Sequence, residues 1–177
     1  QPQHLARLLL RLVGAEHDCL VPPYLDLSQI PLYSGTPQQP FVIIHCGARS
    51  ALRRWPPARY HQVAAACIAE GYHVVFTGTA ADGPAIALIR QGLVENRTMD
   101  LSGQTTLPQL AKLIAQAALV IGPDTGVLHL AKALGRPAAI IIGQGQLEMF
   151  GSDALYGAAT YFYIEALPCR DKHTVHG

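Results

Sequence analysis

The stretch from Gly122 to Gly135, GPDTGVLHLAKALG, has an order of residue types that suits anion binding. Apolar residues 118–121 precede it and predict a short buried strand. The apolar spacing after Asp124 predicts a helix that ends at Gly135. A helix that starts directly after a strand leaves backbone N–H groups unpaired, and its dipole places partial positive charge at the same point. The pattern therefore predicts a phosphate-binding turn.

The residues of this turn have distinct expected roles. Thr125 and Gly126 are expected to present amides, because Gly126 has no side chain to obstruct an anion. Asp124 is of a type that caps helices. In a binding role its carboxylate would face sugar hydroxyls or a basic side chain, since it would repel a diphosphate. His129 lies one turn after Thr125, where it either bonds phosphate or sugar or is a packed or solvated histidine.

A second candidate segment, residues 47–55, follows a predicted buried strand at 41–46 and carries Arg49, Arg53 and Arg54. Arginine forks match phosphate oxygens in bidentate geometry, so we expect at least one of them to stabilise a departing nucleoside diphosphate. The segment contains neither G-x-G-x-x-G nor a Walker A sequence. A nicotinamide-dependent dehydrogenase is therefore disfavoured.

Strand and helix patterns alternate from residue 41 onward. Strands are predicted at 41–46, 72–77, 98–101, 118–121, 138–142 and 160–164, and helices at 57–70, 84–91, 107–117 and 125–134. The alternation predicts an α/β fold, a Rossmann-like doubly wound parallel sheet of about six strands. In the strand order 3-2-1-4-5-6 both candidate loops follow neighbouring strands at the switch point, where ligands bind.

The chain divides into three predicted parts. Residues 1–40 are expected to form an N-terminal helix and an interdomain linker, because leucines at helical spacing are followed by five prolines. Residues 41–167 are the predicted Rossmann-like domain that binds a sugar nucleotide. Residues 168–177 are a polar tail.

The composition excludes several classes of protein. Hydrophobic residues make up 50% of the 177 residues, charged residues 14%, and the formal net charge is +1. These values allow a large core and disfavour nucleic acid as a partner. No apolar run is long enough for a transmembrane segment, and no secretion signal opens the chain. The chain has four cysteines without a C-x-x-C pair: Cys19, Cys46, Cys67 and Cys169. A metal site is therefore not predicted, and the four are expected to be reduced thiols in a cytoplasmic protein.

Four motifs together resemble glycosyltransferase family 9, the ADP-heptose:lipopolysaccharide heptosyltransferases and their relatives. They are G-A-x-x-x-x-R-R-W-P at 47–56, F-T-G-T at 76–79, L-S-G-Q-T-T-L at 101–107 and G-P-D-T-G-V-L-H-L-A-K-A-L-G-R-P at 122–137. The resemblance covers about residues 41–150. It implies a GT-B enzyme with two Rossmann-like domains, in which this chain looks like the C-terminal domain that holds the sugar nucleotide.

The resemblance also implies residue roles. It places Asp124, Thr125, Gly126 and His129 at the diphosphate and donor sugar, with Asp124 in a catalytic role. Arg53 stands where the family usually has a lysine, and it too is expected to be catalytic.

Other matched positions are expected around the nucleotide. Ser50 is expected near phosphate, while Thr79 and Asp82, and the turn 103–105 that begins with Gly103, lie toward the nucleoside end. The family's catalytic base belongs to the N-terminal domain. No cofactor or metal is expected, because amides and cationic side chains would replace a metal ion and no D-x-D motif is present.

Three hypotheses follow from the sequence. In the first, the chain is the donor-binding domain of a glycosyltransferase that transfers heptose from ADP-heptose to a lipid-linked, lipopolysaccharide-type saccharide. Such an enzyme would act in the cytoplasm, peripheral to the inner membrane, and this part alone would be inactive without its N-terminal acceptor domain. In the second, the chain is a non-catalytic Rossmann-like interaction module. In the third, it belongs to a sugar-nucleotide epimerase or hydrolase of GT-B architecture.

Overall fold

The computed structural model describes residues 25–48, 54–142 and 159–163, the last range by its backbone alone. Its strands form one parallel sheet in the order β3-β2-β1-β4-β5-β6, which confirms the predicted doubly wound fold. The strands are β1 (Phe41–His45), β2 (His73–Thr77), β3 (Thr98–Asp100), β4 (Leu119–Pro123), β5 (Ala138–Ile142) and β6 (Ala159–Tyr163), and the helices are α1 (Pro57–Ala69), α2 (Gly83–Arg90), α3 (Leu107–Ile114) and α4 (Gly126–Ala133).

The sheet is buried on both faces, which explains why its strands are continuous apolar runs. Successive residues of β1 point to opposite faces, so Val42 and Ile44 belong to one core cluster and Ile43 to the other. Helices α1 and α2 cover the first face, with Tyr60 of α1 among its fully buried side chains. Helices α3 and α4 cover the second face, where Leu128 is fully buried.

Local sequence signals set the helix ends. Pro57 opens α1, where a missing N–H leaves no internal bond unmade. Thr106 caps α3, because its backbone N–H donates to Gln109 Oε1 (2.9 Å) and its hydroxyl accepts from the Gln109 backbone N–H (3.4 Å). Gly71 and Gly135 follow α1 and α4 with positive φ angles of 89° and 68°.

The start of α4 differs from the prediction. Thr125 occupies the N-cap position and the helix begins at Gly126, so the expectation that Asp124 caps the helix is wrong. The physical reason is that β4 continues through Gly122 and Pro123, which pair with β5, instead of ending before them. The Asp124 backbone N–H extends this ladder by donating to Ile141 O (3.2 Å).

The described part of the predicted linker, residues 25–40, contains turns and no helix or strand. It is only partly a surface segment, because Thr36 is buried and Tyr33 packs against the core. The helix predicted near residues 5–12 and the tail at 168–177 lie outside the described residues.

Gly122→Ala should destabilise the fold. A Cβ at this position would stand 2.6 Å from the His45 carbonyl oxygen and 3.1 Å from Leu128 Cδ2. Overpacking against backbone costs about 1–3 kcal/mol of unfolding free energy, which urea denaturation would measure. The matched control is Gly126→Ala, whose Cβ would meet no atom within 4 Å. Equal stability of the two variants would contradict the packing argument.

Candidate anion-binding site

The turn after β4 leaves the N-terminus of α4 accessible. Gly126 is exposed, and a Cβ built on it would meet no atom within 4 Å. The first bond into the helix is donated by the Leu128 N–H to Thr125 O (3.1 Å), so the amides of Gly126 and Val127 precede the internal hydrogen-bond ladder. The Thr125 hydroxyl is buried and has no hydrogen-bond partner among the residues that the structure describes. This is the arrangement expected of an anion-binding turn.

Asp124 and His129 form a pair beside these amides. His129 Nε2 lies 3.1 Å from Asp124 Oδ1, and the His129 side chain is 40% exposed while that of Asp124 is 11% exposed. The carboxylate therefore faces a basic side chain, one of the two orientations expected from the sequence. Because a carboxylate accepts, Nε2 is the donor, and a protonated ring would offer its second N–H, on Nδ1, to another acceptor.

The loop after β1 begins beside this turn. β1 pairs with β4, with Ile44 opposite Ile121, so the two predicted loops leave neighbouring strand ends. Arg54 Nε donates to Ala48 O (3.1 Å), so one N–H of this exposed arginine joins the two ends of the loop. The other predicted residues of the loop lie outside the described residues: Arg49, Ser50 and Arg53.

The aromatic residue that follows the arginines packs onto the domain. The rings of Trp55 and Tyr60 meet edge to face, with centroids 5.1 Å apart and planes at 87°. Trp55 thus fixes the end of the loop against α1.

The loop after β2 is held by a buried carboxylate. The backbone N–H and hydroxyl of Thr79 donate to Asp82 Oδ2 at 2.8 and 2.7 Å, and Asp82 is buried. A Cβ on Gly78 or on Gly47 would come within 3.0 or 2.8 Å of the same oxygen, so Asp82 also lies against the start of the loop after β1. These bonds give Thr79 a structural role, and its contact with a nucleoside stays a prediction.

Gly103 joins the loop after β3 to the loop after β2. Its φ angle is 68°, its N–H donates to Gly78 O (2.9 Å), and a Cβ would stand 2.9–3.0 Å from Ala80 atoms. A side chain is therefore excluded by backbone conformation and by space. Its predicted place near a nucleoside is compatible with this structural role and stays a prediction.

A buried cluster at the end of β1 was missed by the sequence reasoning. His45 Nδ1 lies 3.1 Å from Thr77 Oγ1. Burial lowers the pKa of His45 to about 4, against a smaller opposing effect of Asp82. Burial likewise raises the pKa of Cys46 to about 12, with smaller contributions from Asp82 and Asp100. Both groups are neutral near pH 7. The sequence signal that could have revealed this cluster is His45 itself, a polar residue at the end of the apolar strand β1.

Among the described residues, no group of three or more His, Cys, Asp or Glu side chains could hold a metal ion. Within the same residues, no helix has the length and apolar character needed to cross a membrane. A cleft of about 500 Å³ lies at the amino ends of β1 and β4, lined by Phe41, Gln116 and Arg136 among others, at the opposite edge from the turn before α4.

The family model and the two relatives described next, all of which match this chain, are named as heptosyltransferases. Residues 25–174 match the model of glycosyltransferase family 9 (heptosyltransferase). The chain is 36% identical over 94 residues to lipooligosaccharide heptosyltransferase 2 of Haemophilus influenzae, covering 51% of this chain and 27% of that protein. It is 36% identical over 107 residues to lipopolysaccharide heptosyltransferase 3 of Escherichia coli, covering 59% and 32%. The chain thus spans about a third or less of these relatives' length.

Solved structures agree on the fold. The E. coli ADP-heptose lipopolysaccharide heptosyltransferase II superposes with a TM-score of 0.64 at 29% identity, covering 75% of this chain and 44% of that one. The E. coli heptosyltransferase WaaC with ADP gives the same TM-score at 19% identity, covering 75% and 39%.

The half-buried imidazole of His45 predicts acid sensitivity. The pKa of His45 is about 4 in the folded protein, against 6.5 for an unperturbed histidine. Between these values the unfolded chain binds a proton that the folded protein does not. Stability should therefore fall as the pH drops from 6.5 to 4, by up to about 3 kcal/mol.

Urea denaturation as a function of pH would measure this effect. His45→Asn should flatten the profile in that interval, whereas His73→Asn, at the start of β2, should keep it because His45 remains. An unchanged profile in His45→Asn would show that this histidine is not responsible.

Proposed function

The chain belongs to glycosyltransferase family 9, because its residues 25–174 match the family model, and we propose that it is the donor-binding part of a sugar transferase. The donor is a nucleoside diphosphate sugar, ADP-heptose, and the sugar that is transferred is heptose. The acceptor is a lipid-linked, lipopolysaccharide-type saccharide at the cytosolic face of the inner membrane. The relatives' names, lipooligosaccharide and lipopolysaccharide heptosyltransferase, support this choice of donor and acceptor.

The observation that carries the proposal is the accessible N-terminus of α4, at the strand end where β4 adjoins β1. Parallel sheets of this order bind ligands at that switch point. The amides of Thr125 and Gly126 would bind the diphosphate there, beside the amide of Val127, which also precedes the internal hydrogen-bond ladder.

The proposed chemistry is displacement at the anomeric carbon of the donor sugar. An acceptor hydroxyl attacks that carbon, its proton passes to a base on the N-terminal domain, and the bond to the diphosphate oxygen breaks. Negative charge grows on the departing diphosphate, where the amides and a protonated His129 stabilise it. Asp124 orients His129 through the 3.1 Å contact.

The loop after β1 supplies the remaining proposed contacts. Arg53 replaces the family's lysine and keeps the positive charge with a forked donor geometry, while Ser50 hydrogen-bonds phosphate. No metal ion is required in this scheme, because amides and cationic side chains neutralise the leaving group.

Gly126→Ala tests the anion site without disturbing the fold. The added methyl group enters open space, so stability should change little, but it stands where an anion would approach the helix N-terminus. Calorimetry on the complete protein should show ADP and pyrophosphate binding weakened about tenfold, the loss of one hydrogen bond to a charged group. Wild-type affinity in this variant would place the anion elsewhere.

His129→Ala should also weaken ADP binding, by about tenfold, because the diphosphate would lose its hydrogen bond from the imidazole. His73→Ala is the matched control, because His73 begins β2 and lies at the amino ends of the strands, away from the turn before α4. An ADP affinity in His129→Ala equal to that of the wild type would contradict the proposed role of this histidine.

Product analysis separates the transferase from the other hypotheses. The complete protein, incubated with ADP-heptose and a lipopolysaccharide-type acceptor, should release ADP only when the acceptor is present. Free heptose or an epimerised donor in its absence would favour the hydrolase or epimerase. Absence of binding to ADP, UDP and their sugars would favour a non-catalytic module.

A further inference from the structure

We propose that Tyr33, in the segment before the domain, is a positioning residue for the nucleoside side of the donor site. It acts through Gln104 on the loop after β3. The inference rests on the proposed function, because it concerns where the nucleoside of the donor lies. No motif of the sequence pointed to Tyr33.

The contact joins distant parts of the chain. The Tyr33 hydroxyl donates to Gln104 Oε1 at 2.9 Å, across 71 positions of sequence. The other end of the Gln104 side chain is also committed, since Nε2 donates to Asp100 O at 2.9 Å. The Gln104 backbone N–H donates to Leu101 O (3.1 Å). The carboxamide therefore spans from the end of β3 to Tyr33, and both of its polar atoms are used.

Tyr33 is itself held in place. Its ring packs against the core, and its carbonyl oxygen accepts from the hydroxyl (2.6 Å) and the N–H (3.1 Å) of buried Thr36. Gly35 allows this turn with a φ angle of 92°. Lys112 Nζ makes a second tie from α3 by donating to Leu27 O (2.9 Å). The segment thus presents the Tyr33 hydroxyl from a fixed position.

The position of Gln104 is transmitted to two loops. Its neighbour Gly103 donates to Gly78 O at 2.9 Å and lies against Ala80. The loops after β2 and β3 are therefore one packed unit at the carboxyl edge of the sheet. In the proposed function, the nucleoside lies over this unit, so the Tyr33 hydroxyl fixes the surface that receives it.

The diphosphate site is separated from this unit. The turn before α4 follows β4, and β1 stands between β4 and β2 in the sheet. Loss of the Tyr33 hydroxyl should therefore loosen the nucleoside side and leave the helix N-terminus unchanged. This separation gives a readout that a general loss of stability would not produce.

The experiment compares two ligands in the complete protein by calorimetry. Tyr33→Phe removes only the hydroxyl and should weaken ADP binding about threefold, with about tenfold, the full worth of one neutral hydrogen bond, as the upper limit. Pyrophosphate, which lacks the nucleoside, should bind within about twofold of wild type. Tyr72→Phe makes the same chemical change just before the amino end of β2, away from both loops, and should alter neither affinity.

A double-mutant cycle tests the route through Gln104. Gln104→Leu should weaken ADP binding at least as much, because it also removes the bond to Asp100 O, and the double variant with Tyr33→Phe should lose no more than Gln104→Leu alone. Three results would each overturn this inference and leave the proposed function standing. They are additive losses in the double variant, equal losses for ADP and pyrophosphate, and an unchanged ADP affinity in Tyr33→Phe. A wild-type protein that binds neither ligand would overturn the proposed function and this inference with it.

Discussion

The close approach of β4 to β1 is the constraint on which the candidate site depends. Gly122 lies against the His45 carbonyl oxygen, where a Cβ would stand only 2.6 Å away. This contact brings the ends of the two strands together, so the loop after β1 and the turn before α4 leave the sheet side by side. An anion held by the amides of α4 would then lie beside the start of the first loop, at the switch point where sheets of this order bind ligands.

The polar groups beneath these loops serve structure and leave the charge at the surface. Asp82 is committed to Thr79, while His45 and Cys46 are kept neutral by burial. Positive potential toward a diphosphate therefore comes from the helix N-terminus, and in the proposed function from His129 and the arginine loop. This division leaves the binding groups accessible while the polar groups beneath them are paired or neutral.

The fold was largely predictable because its signals are local. Apolar runs, the Pro56-Pro57 start of α1 and the Thr106 cap of α3 mark elements that the structure confirms within a few residues. The start of α4 was misplaced because Gly122 and Pro123 are turn-forming types. Their pairing with β5 depends on the neighbouring strand, and local sequence does not encode that neighbour.

The sequence by itself determined the alternation of strands and helices, the resemblance to a sugar-nucleotide domain and the location of the candidate anion-binding turn. Only the tertiary structure decided which polar side chains meet. His45 contacts Thr77 across 32 positions and Tyr33 contacts Gln104 across 71, and neither pair belongs to one periodic segment. Such pairs form because strand order and loop packing bring distant residues together, whereas periodicity reports only on neighbours along one helix or strand.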